Sequence, residues 1–254
     1  MENTNNQTAA TGYSKPKLTP VFEIFKGAVS VWWKNLDKIL KIYWEGIKPT
    51  LIPLGVTAVL GILTVVISGP LGTAFKITMA ISAVVTLIFT IYFWTRAYVG
   101  VFLLVKKDYK DEPAETFKET KKLFWPYLGL SLLTGLLILC WTLLLIIPGI
   151  IFAFIYSFAV YAFFFEDKRG MAAIRRSREI IKGYFWETMG RLCFLGLVAW
   201  IFMMIISSPI ASMPENSAAA QGWNFFVQVV SWLIGPIAML FTYKIYTDLI
   251  KIKK

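Results

Sequence analysis

The sequence predicts an all-α polytopic membrane protein, with six transmembrane helices arranged as three hairpins and an interfacial amphipathic helix before each. Three observations predict it. The first is composition: of 254 residues, 57% are hydrophobic and 16% charged, with a mean hydropathy of +0.63. A soluble domain is about 25% charged, so this chain has too little polar surface to clothe a water-soluble globule. The second is run length. Residues 49–75, 77–95, 123–165, 192–214 and 216–243 contain no Asp, Glu, Lys or Arg, and about 20 apolar residues cross the hydrocarbon core. The run 123–165 is long enough for two crossings, with "IIPGII" (146–151) breaking it near the middle. The third is the helical, amphipathic period of the segments between the runs.

In chain order, residues 1–20 lack any apolar segment and read as a disordered tail. Residues 21–254 form a single six-span domain. Its first amphipathic stretch, 21–45, puts Phe22, Phe25, Val29, Trp32, Leu36, Ile39, Leu40 and Tyr43 on one side. Lys26, Lys34, Asp37, Lys38 and Lys41 fall on the other, and a break is expected near Asn35. Spans follow near 50–68 and 74–98. Residues 112–125 make a shorter amphipathic helix, with Asp111 as its expected N-cap and Pro113 in its first turn. The spans near 126–147 and 149–165 come next. The third amphipathic stretch, 171–187, places Ala173, Ile174, Ser177, Ile180, Ile181, Tyr184 and Phe185 together. Arg175, Arg176, Arg178, Glu179 and Lys182 share the opposite side. Spans near 191–211 and 223–244 close the chain. Trp125 and Trp186 lie at or beside the ends of their stretches and Trp33 just before the break at Asn35, and Trp favours the headgroup level. The pattern is one unit repeated three times.

Charge sets the expected orientation, because Lys and Arg concentrate in cytoplasmic loops. The segment through Lys48 carries seven, 106–122 six, 166–191 seven and the end from Lys244 four, which is 24 of 26. Of the other two, Lys76 sits at the edge of an alternate loop and Arg96 inside an apolar stretch. Both termini are therefore expected in the cytoplasm. The apolar face of 171–187 is expected on the bilayer surface. Arg175, Arg176, Arg178 and Lys182, together with Lys26, Lys34 and Lys38, then meet anionic headgroups at roughly 1 kcal/mol per charge. No nucleic-acid module surrounds this helix, so nucleic acid is not an expected partner. Arg96 either snorkels to the headgroups or pairs with a carboxylate at the rim, with Glu166, Asp167 and Glu187 as candidates.

The stretch "PGIIFAFIYSFAVYAFFFEDKRGMAAIRRSREIIKGYFW" resembles a bacterial and archaeal family of polytopic membrane proteins, the glycerophosphoryl diester phosphodiesterase membrane domain. The resemblance rests on Pro148 and Gly149 with the Ile pair after them, and on an aromatic span ending at Glu166. Ala173, Ser177, Gly183 and Trp186 complete it. It implies a hairpin and packing motif, a prokaryotic plasma membrane and an accessory role without a catalytic domain.

Enzymatic chemistry is disfavoured. The chain has no His, which removes His-based triads, HExxH zinc sites and His acid/base catalysis. No P-loop or GxGxxG is present, and no cofactor is expected. Cys140 and Cys193 lie within apolar spans and read as small hydrophobes. The expected function is that of a non-enzymatic membrane protein acting through lipid, a membrane protein partner or its own oligomer. A small-solute transporter or channel is the alternative.

Overall fold

Asn35 ends the first helix. In the computed structural model, which describes residues 18–67, 69–214 and 217–253, α1 (Val21–Lys34) gives way to α2 (Leu36–Val66) at this residue. The Asn35 side chain donates to Val31 O at 2.9 Å. It closes the C-terminus of α1, and no side chain caps the start of α2. The break therefore falls where expected, but Asn35 serves the helix behind it. Residues 1–17 of the expected tail lie outside the described residues. The remainder of that tail is tied down: Leu18 is buried, and Leu18 O and Thr19 O both accept from Arg191 Nη2.

Among the described residues, six helical segments are long and apolar enough to cross a membrane. The chain is a multi-pass membrane protein. The helices run past the expected span limits. α2 carries both the basic stretch 36–48 and the apolar run after it without interruption. α3 (Gly69–Lys106) has 38 residues, about 57 Å at 1.5 Å per residue, nearly twice the ~30 Å core. α4 (Pro113–Leu144) likewise absorbs the stretch expected as a separate helix at 112–125. Pro113 opens α4 as expected. The N-cap, however, is Glu112, and Asp111 instead takes Lys107 Nζ at 2.7 Å.

The turn in the long apolar run is a single extended residue, Leu145, so Pro148 lies in the first turn of α5 (Ile146–Tyr156). Gly149 is required there. A Cβ would stand 2.8 Å from Thr142 Cα and 2.9 Å from its Cβ, so only glycine lets α5 close on α4. The expected span 149–165 is broken in two. α5 stops at Tyr156, where the Ser157 hydroxyl bonds Phe154 O at 2.8 Å. After Phe158 the chain resumes as α6 (Ala159–Phe165). α7 (Gly170–Ile181) follows, then α8 (Phe185–Ser207), a short 3₁₀ turn Ser208–Ser212, and α9 (Ala218–Ile252).

The protein core sits at one end of the bundle, the basic end. Ala97–Val105 of α3 is buried on nearly every side, which a helix apolar all round permits. Around it pack Ile39 and Ile42 of α2, Phe117 and Leu130 of α4, the aromatic residues of α6, and Phe241, Ile245 and Leu249 of α9. Farther along, almost none of the apolar windows of α2, α3, α4 and α8 is fully buried in protein. Lipid tails are as apolar as Leu, so nothing drives these segments to bury each other. α2 and α3 nonetheless pack along their length, and polar groups join them there. Thr57 Oγ1 lies 2.7 Å from Ser82 Oγ and 2.8 Å from Thr86 Oγ1, and Thr86 donates to Pro53 O at 3.1 Å.

Candidate functional site

Helix α7 is where charge, burial and a cavity meet. Its sequence winds Ala173, Ile174, Ser177, Ile180 and Ile181 onto one face, and all five are buried. They are buried in protein. α7 packs against α4, α5, α6 and α9, so its apolar face does not lie on lipid as the sequence suggested. The reason is local. The break between α5 and α6 interrupts the helical hydrogen-bond ladder, which resumes with Ala162 N–H donating to Phe158 O. Ser177 Oγ, fully buried, donates to Ile155 O at that break. A buried carbonyl without a donor costs free energy comparable to a lost hydrogen bond, and α7 removes that cost only by docking.

α7 also ends earlier than expected. Lys182 caps it, and Gly183 takes φ +87°, a conformation that disfavours any side chain. Phe185 and Trp186 therefore belong to α8. Trp186 projects outward, 73% exposed, as Trp33 (71%) and Trp125 (72%) do on other elements.

The polar face divides into two sets. Arg176 Nε donates to Glu166 Oε2 at 2.6 Å, and Tyr246 OH donates to Glu166 Oε1 at 2.9 Å. The Glu166 carboxylate accordingly raises the Arg176 pKa further above its ordinary value. Arg178 donates to Tyr156 OH and lies 5.4 Å over the Phe152 ring. These two cations hold α7 to the bundle. Arg175 and Lys182 are exposed, and no ion pair engages either among the described residues. Lys168, Met171, Ala172 and Arg175 line a cleft of about 570 Å³ with Glu166, Arg176 and Glu179. Three cations and two carboxylates thus surround it. Lys253, at the end of α9, donates to Glu179 O, and burial pushes its ammonium pKa down.

Arg96 neither pairs with the candidate Glu166 nor reaches out to the headgroups, but bonds inside the bundle. Arg96 is 8% exposed. Its Nε donates to Thr120 Oγ1 and its Nη2 to Phe117 O, each at 2.9 Å. The guanidinium also lies 4.4 Å over the Phe117 ring. Glu166 is taken by Arg176 and Tyr246, and Asp167 lies 3.2 Å from Lys106. A planar fork needs acceptors, and a carbonyl beside a hydroxyl serves it as a carboxylate would. Of the basic residues expected at headgroups on the first amphipathic stretch, Lys26 and Lys34 are exposed. Lys38 is half-buried and donates to Tyr109 O.

Ser177–Ile155 O, Tyr246–Glu166 and Arg178–Tyr156 were not foreseen from the sequence. Only the helical spacing of Ser177 within an apolar face marked that position. No protein-family model matches the chain, and no curated protein or solved structure matches it. Fold and site together define a multi-pass membrane protein with a docked basic helix at the basic end of its bundle.

Proposed function

We propose that this is a non-enzymatic integral protein of a prokaryotic cytoplasmic membrane, acting through an anionic lipid or protein partner at its cytoplasmic face. Both termini and α7 then lie in the cytoplasm, as the distribution of Lys and Arg favours. One observation carries the reading. α7 spends its apolar face, Arg176 and Arg178 on its own bundle, yet Arg175 and the preceding Lys168 stay exposed on an open cleft, and Lys182 is exposed at the helix C-terminus. A helix held this rigidly offers its charge without the entropy cost of ordering on binding. The resemblance of 148–186 to the phosphodiesterase membrane domain supports an accessory role. The grouping of α2 with α3, α4 with α5 and α8 with α9 supports three hairpins, although interfacial helix and span are continuous in the first two.

The test is capture of partners by the full-length protein in mild detergent, read by lipid and protein mass spectrometry. Wild type should enrich an anionic lipid or an acidic protein. Arg175→Gln with Lys182→Gln should reduce that enrichment by about thirtyfold at low salt, at roughly 1 kcal/mol per charge near a membrane surface. Unchanged capture would remove the α7 face from the reading. Solute flux in proteoliposomes without any captured partner would favour a transporter instead.

A further inference from the structure

Between the first hairpin and α9 the bundle opens sideways. The groove has a volume of about 830 Å³ and is lined by α2, α3 and α9, with Tyr43, Trp44, Leu51, Trp94, Phe225 and Trp232 prominent. Its walls meet at one side, where Trp94 and Trp232 rings lie 4.9 Å apart and Trp32 Nε1 donates to Leu233 O at 2.9 Å. None of its lining residues is charged. Leu40 and Leu54, near its ends on α2, are 14 residues apart, about 21 Å along a helix. That exceeds the ~15 Å half-thickness of the hydrocarbon core.

We propose that this groove is a phospholipid site, holding an acyl chain along α2 and α9 with an anionic headgroup at its rim. An apolar groove open to the bilayer is under no hydrophobic pressure to close. Left empty, its walls forfeit their dispersion contacts, so a chain of matching length fills it. The rim supplies the headgroup's complement. Lys34 ends α1 and Lys41 follows Leu40 on α2; both are exposed and unpaired among the described residues. Trp33 and Trp44 stand beside them, both largely exposed, at the level where Trp favours the membrane interface. Cation and aromatic at the mouth, with an uncharged channel beyond, match a lipid and not a polar solute. The site is separate from the α7 face, and neither proposal depends on the other.

The test uses full-length protein in membranes doped with phosphatidylglycerol carrying a photoactivatable group in mid-chain. Adducts should concentrate on peptides containing Leu51, Leu54, Phe225 and Val229. Native mass spectrometry of the washed protein should show retained phosphatidylglycerol, lost several-fold in Val229→Trp, which fills the groove. Lys34→Gln with Lys41→Gln should abolish most of the preference for phosphatidylglycerol over phosphatidylcholine, by about thirtyfold at low salt. Adducts spread evenly over α2, α4 and α8 would overturn the site. So would full lipid retention by a folded Val229→Trp, or a lipid-free dimer cross-linked through this face. If Val229→Trp does not fold, the adduct map of the wild type decides.

Discussion

Ser177→Val should be among the most damaging single substitutions in this chain, lowering stability by about 2–6 kcal/mol. Two costs add. The extra bulk must fit where Ser177 has no exposed surface, which costs about 1–3 kcal/mol in a packed interior. The hydroxyl that donates to Ile155 O is also lost, and a stranded buried acceptor costs about 1–3 kcal/mol. Ser177→Ala isolates the second cost and should lose only that part. The measurement is thermal unfolding of the purified protein in mild detergent, comparing both variants with wild type. A silent Ser177→Ala would mean that water or a local shift serves the carbonyl, and that α7 is not held by it.

Arg96→Lys should cost about 1.5–3 kcal/mol, although charge is conserved. One ammonium replaces a planar fork that reaches Thr120 Oγ1 and Phe117 O together, and hydrogen bonds to charged groups are worth about that much each. Arg96→Leu strands no carboxylate, because none pairs with Arg96, and Phe117 O keeps a donor in Thr120 Oγ1 at 2.6 Å. It also relieves the desolvation of a buried cation. Its net cost should therefore be no larger than that of Lys. The same melting assay, run as double-mutant cycles, locates the partner. Arg96→Lys should couple to Thr120→Val and add independently, within about 0.5 kcal/mol, to Glu166→Gln. Coupling to Glu166 instead would restore the rim ion pair and contradict the geometry.

These two residues show where the sequence was readable and where it was not. The apolar runs, the break at Asn35, the turn before Gly149 and the buried face of α7 all follow from local pattern, and the structure places them within a few residues. Periodicity tells which side chains of α7 lie together. It does not tell what covers them, because bilayer and protein core are both apolar and select the same residues. The interfacial helices before the first two hairpins were expected as separate elements for a related reason. A helix that leaves the membrane changes its polar pattern without changing its backbone, so α2 and α4 simply continue. The sequence offers Arg96 the headgroups or a carboxylate at the rim, whereas its acceptors are a threonine hydroxyl and a backbone carbonyl within the bundle, which pattern does not mark out. The break at Ser157 is not legible in the sequence, because one hydroxyl in an aromatic run does not by itself end a helix.

The most direct measurement of the central claim is cysteine labelling along α7 in a Cys140→Ser/Cys193→Ser background. An impermeant maleimide is applied to intact cells and to inside-out vesicles. Arg175→Cys and Lys182→Cys should react quickly in inside-out vesicles and not in intact cells, while Ile174→Cys and Ile180→Cys stay protected in both. That result describes a helix whose apolar face is covered and whose basic face is open to the cytoplasm, as docking on the bundle requires. Labelling of Ile174→Cys as fast as Arg175→Cys would show that α7 is undocked. Labelling of Arg175→Cys from outside intact cells would invert the topology and contradict the account.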